Sequence, residues 1–292
     1  MRASKARRSR MRVRPLAGQS VNRMVPNVLT LLALCAGMTA MRFAMGGNFE
    51  AAVFSIIAAG VFDGLDGRMA RLLKATSSFG AELDSLSDFV SFGVAPAAVL
   101  YLWTLSELHG LGWAIALLFA VCCALRLARF NTETSRETPS YAAPFFTGAP
   151  APAGAGLVMV PMFLSFEWGD WLFRSPYLSA VTVTGVALLM ISKVPTVSLK
   201  RIRIPHHLVV PTLLAFGVAT GFLTTEPWLT LIVVGIVYVG SIPLTIRAYF
   251  RLKRAAQARK AEATMKPEAV PLPTPTAFPL GERDTTAPEW RH

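Results

Sequence analysis

Eight apolar stretches dominate the chain, and each is close to the roughly 20 residues that a helix needs to cross the hydrocarbon core of a bilayer. Hydrophobic residues make up 53% of the 292 positions and charged residues only 16%, below the roughly 25% of a typical soluble domain. These features predict an all-α membrane helix bundle with about eight transmembrane helices. The predicted spans are Val28–Met45, Ala51–Leu72, Leu83–Thr104, Leu111–Phe130, Ala151–Glu167, Pro176–Lys193, His207–Leu223 and Trp228–Ala248.

The basic residues are distributed unevenly between the loops that these spans create. If both termini are cytoplasmic, 27 of the 29 lysines and arginines lie on the inner side, and only Arg42 and Arg174 face outward. Because cytoplasmic loops of membrane proteins are enriched in positive charge, this pattern predicts two cytoplasmic ends. The net charge of +12 then reflects topology and attraction to anionic lipid. It does not indicate nucleic-acid binding, since the basic clusters adjoin membrane spans.

Three segments are predicted along the chain. Residues 1–27 form a basic cytoplasmic segment, residues 28–250 a membrane-embedded domain, and residues 251–292 a cytoplasmic tail that is first basic and then rich in Pro. The tail has too little apolar surface to bury a core and is predicted to be disordered. Cys35, Cys122 and Cys123 fall in apolar stretches without the spacing of a zinc or disulfide site, which predicts buried, inert thiols.

Four aspartates interrupt the apolar sequence around the second and third spans. Asp63 and Asp66 are three residues apart, and Asp84 and Asp88 are four apart, so each pair lies on one face of a helix. The two helices are consecutive and joined by a short cytoplasmic loop, which predicts a cluster of four carboxylates. Because carboxylates in a membrane need partners and hard cations prefer oxygen ligands, the cluster predicts a site for two divalent cations, Mg²⁺ or Mn²⁺.

Small residues and one arginine accompany the first aspartate pair. Gly67 comes directly after Asp66, and Ala70 lies about one turn further on, so a bulky ligand can approach the helix. Arg71 shares a face with Gly67 and can bind a phosphate. Since two-metal sites bind and activate phosphates, these residues indicate an enzyme that acts on a phosphate compound.

The complete pattern runs from Asp63 to Asp88: Asp-x-x-Asp-Gly-x-x-Ala-Arg, eight further residues, and Gly-x-x-x-Asp-x-x-x-Asp. It resembles the signature of the CDP-alcohol phosphatidyltransferase family at every fixed position. The resemblance implies transfer of a phosphatidyl group from CDP-diacylglycerol to an alcohol, with release of CMP. It further implies that Asp63 and Asp84 contact both metals, that Asp66 contacts one, and that Asp88 contacts the other and accepts a proton.

The resemblance also implies a binding site for the lipid substrate. The start of the first span matches the family's cytidine-side segment, and the signature with its following loop matches the nucleotide and diphosphate contacts. The implied CDP-diacylglycerol-binding residues are Pro26, Asn27, Val28, Leu29, Gly67, Ala70, Arg71, Ser77 and Gly80.

Five segments resemble the phosphatidylserine synthase branch of the family, which implies L-serine as the acceptor alcohol. Arg126, Arg129 and Asn131 lie at the inner end of the fourth span and are the implied acceptor contacts, because Arg can hold a carboxylate with two parallel hydrogen bonds. The predicted topology places the active site on the cytosolic side, and the enzyme is expected in the cell membrane. Resemblance to the family also implies a homodimer. The five segments are Val25–Met38, Gly80–Ala97, Arg126–Asn131, Phe145–Ala155 and Leu189–Lys200.

Two alternatives remain open from the sequence. The first is another acceptor within the same family, either glycerol 3-phosphate or an inositol phosphate. The second is a divalent-cation or proton-coupled transporter, because carboxylates within membranes also mark ion pathways. Transporter sites are usually near the bilayer midplane, whereas these aspartates lie toward one side, and a cation pathway does not need Arg71 or the glycines.

Overall fold

The computed structural model describes residues 21–134, 145–192, 195–197 and 209–265. Most of the basic N-terminal segment, the Pro-rich tail and the ends of the sixth and seventh predicted spans at Lys193 and His207 lie outside these residues. The helices are α1 (Val21–Met45), α2 (Phe49–Leu72), α3 (Ser78–Asp88), α4 (Ala95–Trp103), α5 (His109–Thr134), α6 (Ala151–Val158), α7 (Val160–Trp168), α8 (Asp170–Phe173), α9 (Pro176–Ile191), α10 (Val209–Thr225) and α11 (Pro227–Met265). A π-helical turn (Phe89–Val94) joins α3 to α4, and a 3₁₀ turn (Leu105–Leu108) precedes α5.

The helical fold class predicted from the sequence is confirmed, and the chain is an integral membrane protein. Among the described residues, five segments are long and apolar enough to cross a bilayer, and α9 is a shorter apolar helix. The five are Met24–Met45, Ser78–Trp103, Leu105–Thr132, Ala151–Trp168 and Pro227–Ala248. The count of eight spans, the cytoplasmic termini and the three-segment domain organisation stay predictions.

Helices α1 and α2 form an antiparallel pair packed through small side chains. Ala40 and Ala44 of α1 and Ala52 and Ala59 of α2 are all buried, and small residues allow helix backbones in membranes to approach closely. Asn48 ends the connecting turn by accepting a hydrogen bond from the Ala51 N–H at 3.0 Å. Such a side-chain cap satisfies one of the free N–H groups at a helix start. This hairpin brings the start of α1 beside the end of α2.

The π-helical turn lies directly after Asp88, in the middle of what the sequence predicted as one regular span. Its Ser91 donates a hydrogen bond of 3.0 Å to the Ala33 carbonyl of α1. A Cβ atom on Gly37 would lie 2.7 Å from Ser91 Oγ, so only glycine fits at this crossing. On another side of the turn, Gly93 packs against Cys123 of α5. The turn is thus fixed against α1 and α5, and π-helical turns are frequent near functional sites.

A short two-stranded ladder adds to the helical bundle. β1 (Phe145–Thr147) pairs antiparallel with β2 (Pro195–Val197), with Phe146 opposite Thr196. The two strands come from separate segments that resemble the same branch of the family. Gly148 follows β1 with φ of +75°, and a Cβ atom there would lie 2.5 Å from the Met190 carbonyl oxygen. Glycine is therefore required where the ladder approaches the end of α9.

The interior of the bundle is apolar and contains side chains of α1, α2, α4, α5, α6, α7, α9 and the π-helical turn. The thiols of Cys122 and Cys123 are buried there, as predicted. The prediction for Cys35 is wrong, because this residue lies exposed on α1; a thiol on the apolar outer face of a membrane helix needs no protein cover. Among the largest fully buried side chains are Phe92, Leu100, Phe119, Met159, Met162, Val183 and Met190.

Candidate active site

Three aspartates of the signature meet where the end of α2 faces α3. One carboxylate oxygen from each of Asp63, Asp66 and Asp84 lies within 4.8 Å of the others. The spacing of three residues places Asp63 and Asp66 on one face of α2, as predicted. Asp88, one turn beyond Asp84, reaches Asp63 within hydrogen-bonding range. The structure therefore brings the four carboxylates together, while their individual roles stay predictions.

The donor set of this acidic cluster fits a hard divalent cation. Its ligand atoms are all carboxylate oxygens, which suit Mg²⁺ or Mn²⁺ better than soft metals. Four carboxylates at such short separations repel one another unless cations or protons neutralise them. Asp66 is only 5% exposed, so solvent screens its charge poorly. A cation-binding site is the arrangement that this chemistry favours.

Thr30 of α1 is a site residue that the sequence interpretation missed. Its hydroxyl lies 2.6 Å from Asp66 Oδ2, and the residue is buried. Thr30 follows Asn27 by three residues and Pro26 by four, so all three share one face of α1. This spacing is the signal in the sequence that points to Thr30. The contact of Thr30 with α2 depends on how α1 and α2 pack, which the sequence does not define.

A cavity of about 150 Å³ opens beside Asp66 and Asp84, between the start of α1, the end of α2 and the start of α3. Six of the nine residues predicted to bind CDP-diacylglycerol line it. They are Pro26, Asn27, Gly67, Ala70, Ser77 and Gly80. Residues not predicted from the sequence also line the cavity, namely Thr30, Ala75, Thr76 and Ala81.

The other three predicted lipid-substrate residues lie outside the cavity wall. Val28 is 49% exposed on the outer side of α1, and Leu29 is partly exposed. Val28 points away from the face that carries Pro26 and Thr30, and Leu29 lies beside that face but does not line the cavity. Arg71 is exposed, and its Nη1 atom lies 4.0 Å from the place where a Cβ of Gly67 would be. Its guanidinium group therefore covers Gly67, on the predicted face.

Ser77 and Gly80 shape the start of α3 as well as the cavity. The Ser77 hydroxyl accepts a hydrogen bond of 3.0 Å from the Gly80 N–H and caps the helix. A Cβ atom on Gly80 would lie 3.1 Å from Asn27 Oδ1. The absence of a side chain thus lets α3 approach the Asn27 amide of α1. Ser77 therefore fixes the start of α3, and Gly80 lets α3 pack close to α1 at the wall of the cavity.

The three predicted acceptor residues have different surroundings. Arg126 lies within electrostatic range of Asp88, and its guanidinium carbon is 5.5 Å from the centre of the Phe130 ring. Arg129 Nη1 instead donates a hydrogen bond of 3.0 Å to the Ile191 carbonyl at the end of α9. Asn131 Nδ2 donates one of 2.9 Å to Ser85 Oγ. The guanidinium group of Arg126 thus lies near enough to Asp88 for the two charges to interact.

Comparison with known proteins assigns these features to a family. The sequence model of the CDP-alcohol phosphatidyltransferase family matches residues 23–199, which include the acidic cluster, the cavity and Arg126. This chain belongs to the CDP-alcohol phosphatidyltransferase family. A second model, CDP-alcohol phosphatidyltransferase 2, matches residues 207–243. The signature recognised in the sequence is therefore part of a match that extends over most of the membrane-embedded region.

Relatives within the CDP-alcohol phosphatidyltransferases carry a more specific name. The chain is 40% identical over 238 residues to the CDP-diacylglycerol–serine O-phosphatidyltransferase of Mycobacterium leprae, covering 81% of this chain and 79% of that protein. It is 39% identical over 237 residues to the protein of the same name from Mycobacterium tuberculosis, covering 80% and 82%. The protein of that name from Bacillus subtilis is 36% identical over 170 residues, covering 58% of this chain and 88% of the relative.

Proposed function

We propose that this protein is a CDP-diacylglycerol–serine O-phosphatidyltransferase. It transfers the phosphatidyl group of CDP-diacylglycerol to the hydroxyl of L-serine and gives phosphatidylserine and CMP. The observation that carries the proposal is the acidic cluster of α2 and α3 beside the cavity. The shared name of relatives at 39–40% identity over about four fifths of the chain supports serine as the acceptor.

Asp63, Asp66, Asp84 and Asp88 are proposed to hold two divalent cations, Mg²⁺ or Mn²⁺. When bound, the cations supply positive charge that polarises the diphosphate and stabilises the negative charge on departing CMP. Asp63 and Asp84, which lie centrally, are assigned to both ions, Asp66 to one, and Asp88 to the other. Asp88 is also assigned as the general base.

The lipid substrate is proposed to bind with its nucleotide in the cavity. Pro26 and Asn27 form the cytidine side, while Gly67 and Ala70 let the diphosphate approach α2 without steric conflict. Arg71, whose guanidinium covers Gly67, supplies a cation for a phosphate oxygen. This placement directs the reacting phosphorus toward the four aspartates and the cations that they are proposed to hold.

Serine is proposed to enter from the side of Arg126. The guanidinium holds the serine carboxylate with paired hydrogen bonds, which brings the serine hydroxyl to Asp88. Asp88 takes the hydroxyl proton as the oxygen forms its bond to phosphorus. The bond between phosphorus and the CMP oxygen breaks, and its electron pair leaves with CMP. The proton remains on Asp88 until it is released to solvent.

The proposed setting is the cell membrane, with the active site facing the cytosol. The distribution of lysines and arginines supports this orientation, since the acidic cluster lies near the basic loop between α2 and α3. Cytosolic serine and membrane-bound CDP-diacylglycerol can then reach one site. A homodimer embedded in the bilayer is proposed as the assembly.

The test is an acceptor assay with purified protein, CDP-diacylglycerol and either Mg²⁺ or Mn²⁺. L-Serine, glycerol 3-phosphate and an inositol phosphate are compared by CMP release and by the identity of the lipid product. Serine-dependent CMP release with phosphatidylserine as the product is expected. Turnover with glycerol 3-phosphate or the inositol phosphate alone would assign another acceptor. An absence of CMP release with every acceptor would leave the transporter alternative to be tested in vesicles.

A further inference from the structure

Thr30 connects the two halves of the acidic signature. Its hydroxyl lies 2.6 Å from Asp66 Oδ2, and its backbone carbonyl accepts a hydrogen bond of 3.0 Å from Ser87 Oγ. Ser87 directly precedes Asp88 in the chain and is 2% exposed. A single residue of α1 therefore contacts α2 through its side chain and α3 through its backbone.

Asp66 needs a hydrogen-bond donor more than the other aspartates do. It is 5% exposed, whereas Asp63, Asp84 and Asp88 are all partly exposed. A carboxylate removed from water is costly unless hydrogen bonds replace those of the solvent. The Thr30 hydroxyl provides such a bond at the short distance typical of a hydroxyl and a charged carboxylate.

The Thr30 hydroxyl has one proton and two acceptors within reach. The carbonyl oxygen of Pro26, one helical turn earlier, is 3.1 Å away, compared with 2.6 Å for Asp66 Oδ2. The shorter contact is with the charged acceptor, which forms the stronger hydrogen bond. The proton is therefore placed on the side of Asp66, and the Pro26 carbonyl is a secondary acceptor.

We propose that Thr30 is a positioning residue for Asp66 and thereby for cation binding. By holding Oδ2, the hydroxyl fixes the rotamer of the carboxylate and leaves Oδ1 for the cation. This inference rests on the proposed function. Donors that orient metal ligands in this way typically change metal affinity by about 10- to 100-fold. Because Ser87 contacts the Thr30 backbone, a side-chain substitution at Thr30 tests the hydroxyl without removing the contact with α3.

The test measures Mn²⁺ binding to the purified full chain without lipid substrate, with free Mn²⁺ determined by electron paramagnetic resonance. Thr30→Val removes the hydroxyl and keeps the side-chain shape, while Thr30→Ser keeps the hydroxyl. Thr39→Val is the matched control, because the Thr39 hydroxyl on the same helix donates to the Cys35 carbonyl at 2.7 Å, the same backbone contact without an aspartate.

Thr30→Val is expected to weaken Mn²⁺ binding by about 10-fold or more. Thr30→Ser and Thr39→Val are expected to stay within about threefold of the parent. In the acceptor assay, Thr30→Val should raise the Mn²⁺ concentration that gives half-maximal CMP release and leave the apparent KM for serine unchanged. If Thr30→Val is not monodisperse and helical, Thr30→Ala replaces it, since alanine favours the helix and also lacks the hydroxyl.

Parental Mn²⁺ affinity in a folded Thr30→Val or Thr30→Ala protein would overturn the inference and leave the proposed function intact. An equal loss of Mn²⁺ affinity in Thr39→Val would also overturn the inference, because the effect would then arise from a general change in α1 and not from the lost contact with Asp66. A parent protein that neither binds Mn²⁺ nor releases CMP would instead refute the proposed function, and the role of Thr30 with it.

Discussion

Asn131 and Ser85 link α5 to α3 beside the acidic cluster. Asn131 Nδ2 donates a hydrogen bond of 2.9 Å to Ser85 Oγ, and Ser85 directly follows Asp84. The sequence interpretation assigned Asn131 to the acceptor, but this contact gives it a role in holding α3. Orientation of α3 in turn decides where Asp84 and Asp88 point.

We therefore expect Asn131→Ala and Ser85→Ala to cause similar, modest losses of turnover with little change in the apparent KM for serine. Each removes the hydrogen bond between the two side chains, worth about 0.5–1.5 kcal/mol. Ser85→Ala also removes the hydrogen bond from Ser85 Oγ to the Ala81 carbonyl, so the double variant should be no worse than Ser85→Ala alone. A double-mutant cycle in the CMP-release assay measures this coupling. A selective rise in the serine KM in Asn131→Ala would return the residue to the acceptor site.

The acidic cluster gives the largest expected effects on activity. Asp63→Asn, Asp66→Asn, Asp84→Asn and Asp88→Asn should each nearly abolish CMP release. Loss of the general base at Asp88 alone costs about 10²- to 10⁴-fold. Mn²⁺ titration should separate the roles, because Asp88→Asn removes a ligand of one ion and Asp63→Asn a ligand of both. Near-parental turnover in Asp63→Asn or Asp84→Asn would refute the two-cation site.

Alanine substitutions of Arg126 and Arg129 are expected to have different effects, although the two residues are only three positions apart in sequence. Arg126→Ala should weaken apparent serine affinity by about 1.5–3 kcal/mol, roughly 10- to 150-fold, because a charge-assisted contact with the serine carboxylate is lost. The affinity for CDP-diacylglycerol should change little. The measurement is serine-dependent CMP release at saturating CDP-diacylglycerol.

Arg129→Ala serves as the comparison, since Arg129 binds the Ile191 carbonyl at the end of α9. It should lower the melting temperature of the purified protein more than it changes the serine dependence. If Arg126→Ala keeps the parental serine dependence while Arg129→Ala loses it, the two assignments are reversed.

The crossing of α1 with the π-helical turn is expected to be intolerant of any side chain at Gly37. Gly37→Ala would place a Cβ 2.7 Å from Ser91 Oγ and 2.8 Å from Ser91 Cα. Such overpacking typically costs about 1–3 kcal/mol. Gly185→Ala in α9 is the control, because no atom lies within 4 Å of the added Cβ. Thermal unfolding in detergent should show a lower melting temperature for Gly37→Ala and no decrease for Gly185→Ala.

The membrane orientation can be tested by cysteine labelling in intact cells, after the native cysteines are replaced by alanine. Trp171→Cys should react with an impermeant reagent, since Trp171 is 85% exposed and belongs to a segment that the charge distribution predicts to face outward. Lys74→Cys, in the loop between α2 and α3, should react only after the membrane is made permeable. The opposite pattern of labelling would invert the predicted topology.

The sequence predicted the acidic cluster because spacing along a helix is enough to place two side chains on one face. That the carboxylates of α2 and α3 face each other was predicted from the short connection between the two helices. Thr30 could not be found in this way, since its contact with Asp66 depends on the rotation of α1 about its axis. Arg129 and Asn131 were assigned with Arg126 because all three share one helix end. Their separate partners, Ile191 and Ser85, are distant in sequence.

The small ladder was also beyond the sequence interpretation. Three-residue strands such as β1 and β2 are too short to show an alternating pattern, and the segment that follows β1 packs at Gly148 against the end of α9. Glycines with steric roles, such as Gly37 and Gly148, could not be separated from ordinary small residues. Their importance follows from close contacts with Ser91 and Met190, which only the tertiary structure defines.

The π-helical turn allows the two parts of one membrane segment to be aligned independently. One extra residue in a helical turn offsets the side chains that follow by about 100°, the angle per residue of an α-helix. The acidic face of α3 can thus be directed at α2, while α4 presents Val99 and Leu100 to the apolar interior. Deleting one residue between Phe89 and Val94 would restore an ordinary α-helix. Either the acidic face of α3 would then turn away from α2, or the apolar residues of α4 would turn away from the interior. Homologues with a one-residue gap at this place would therefore need a compensating change in α4.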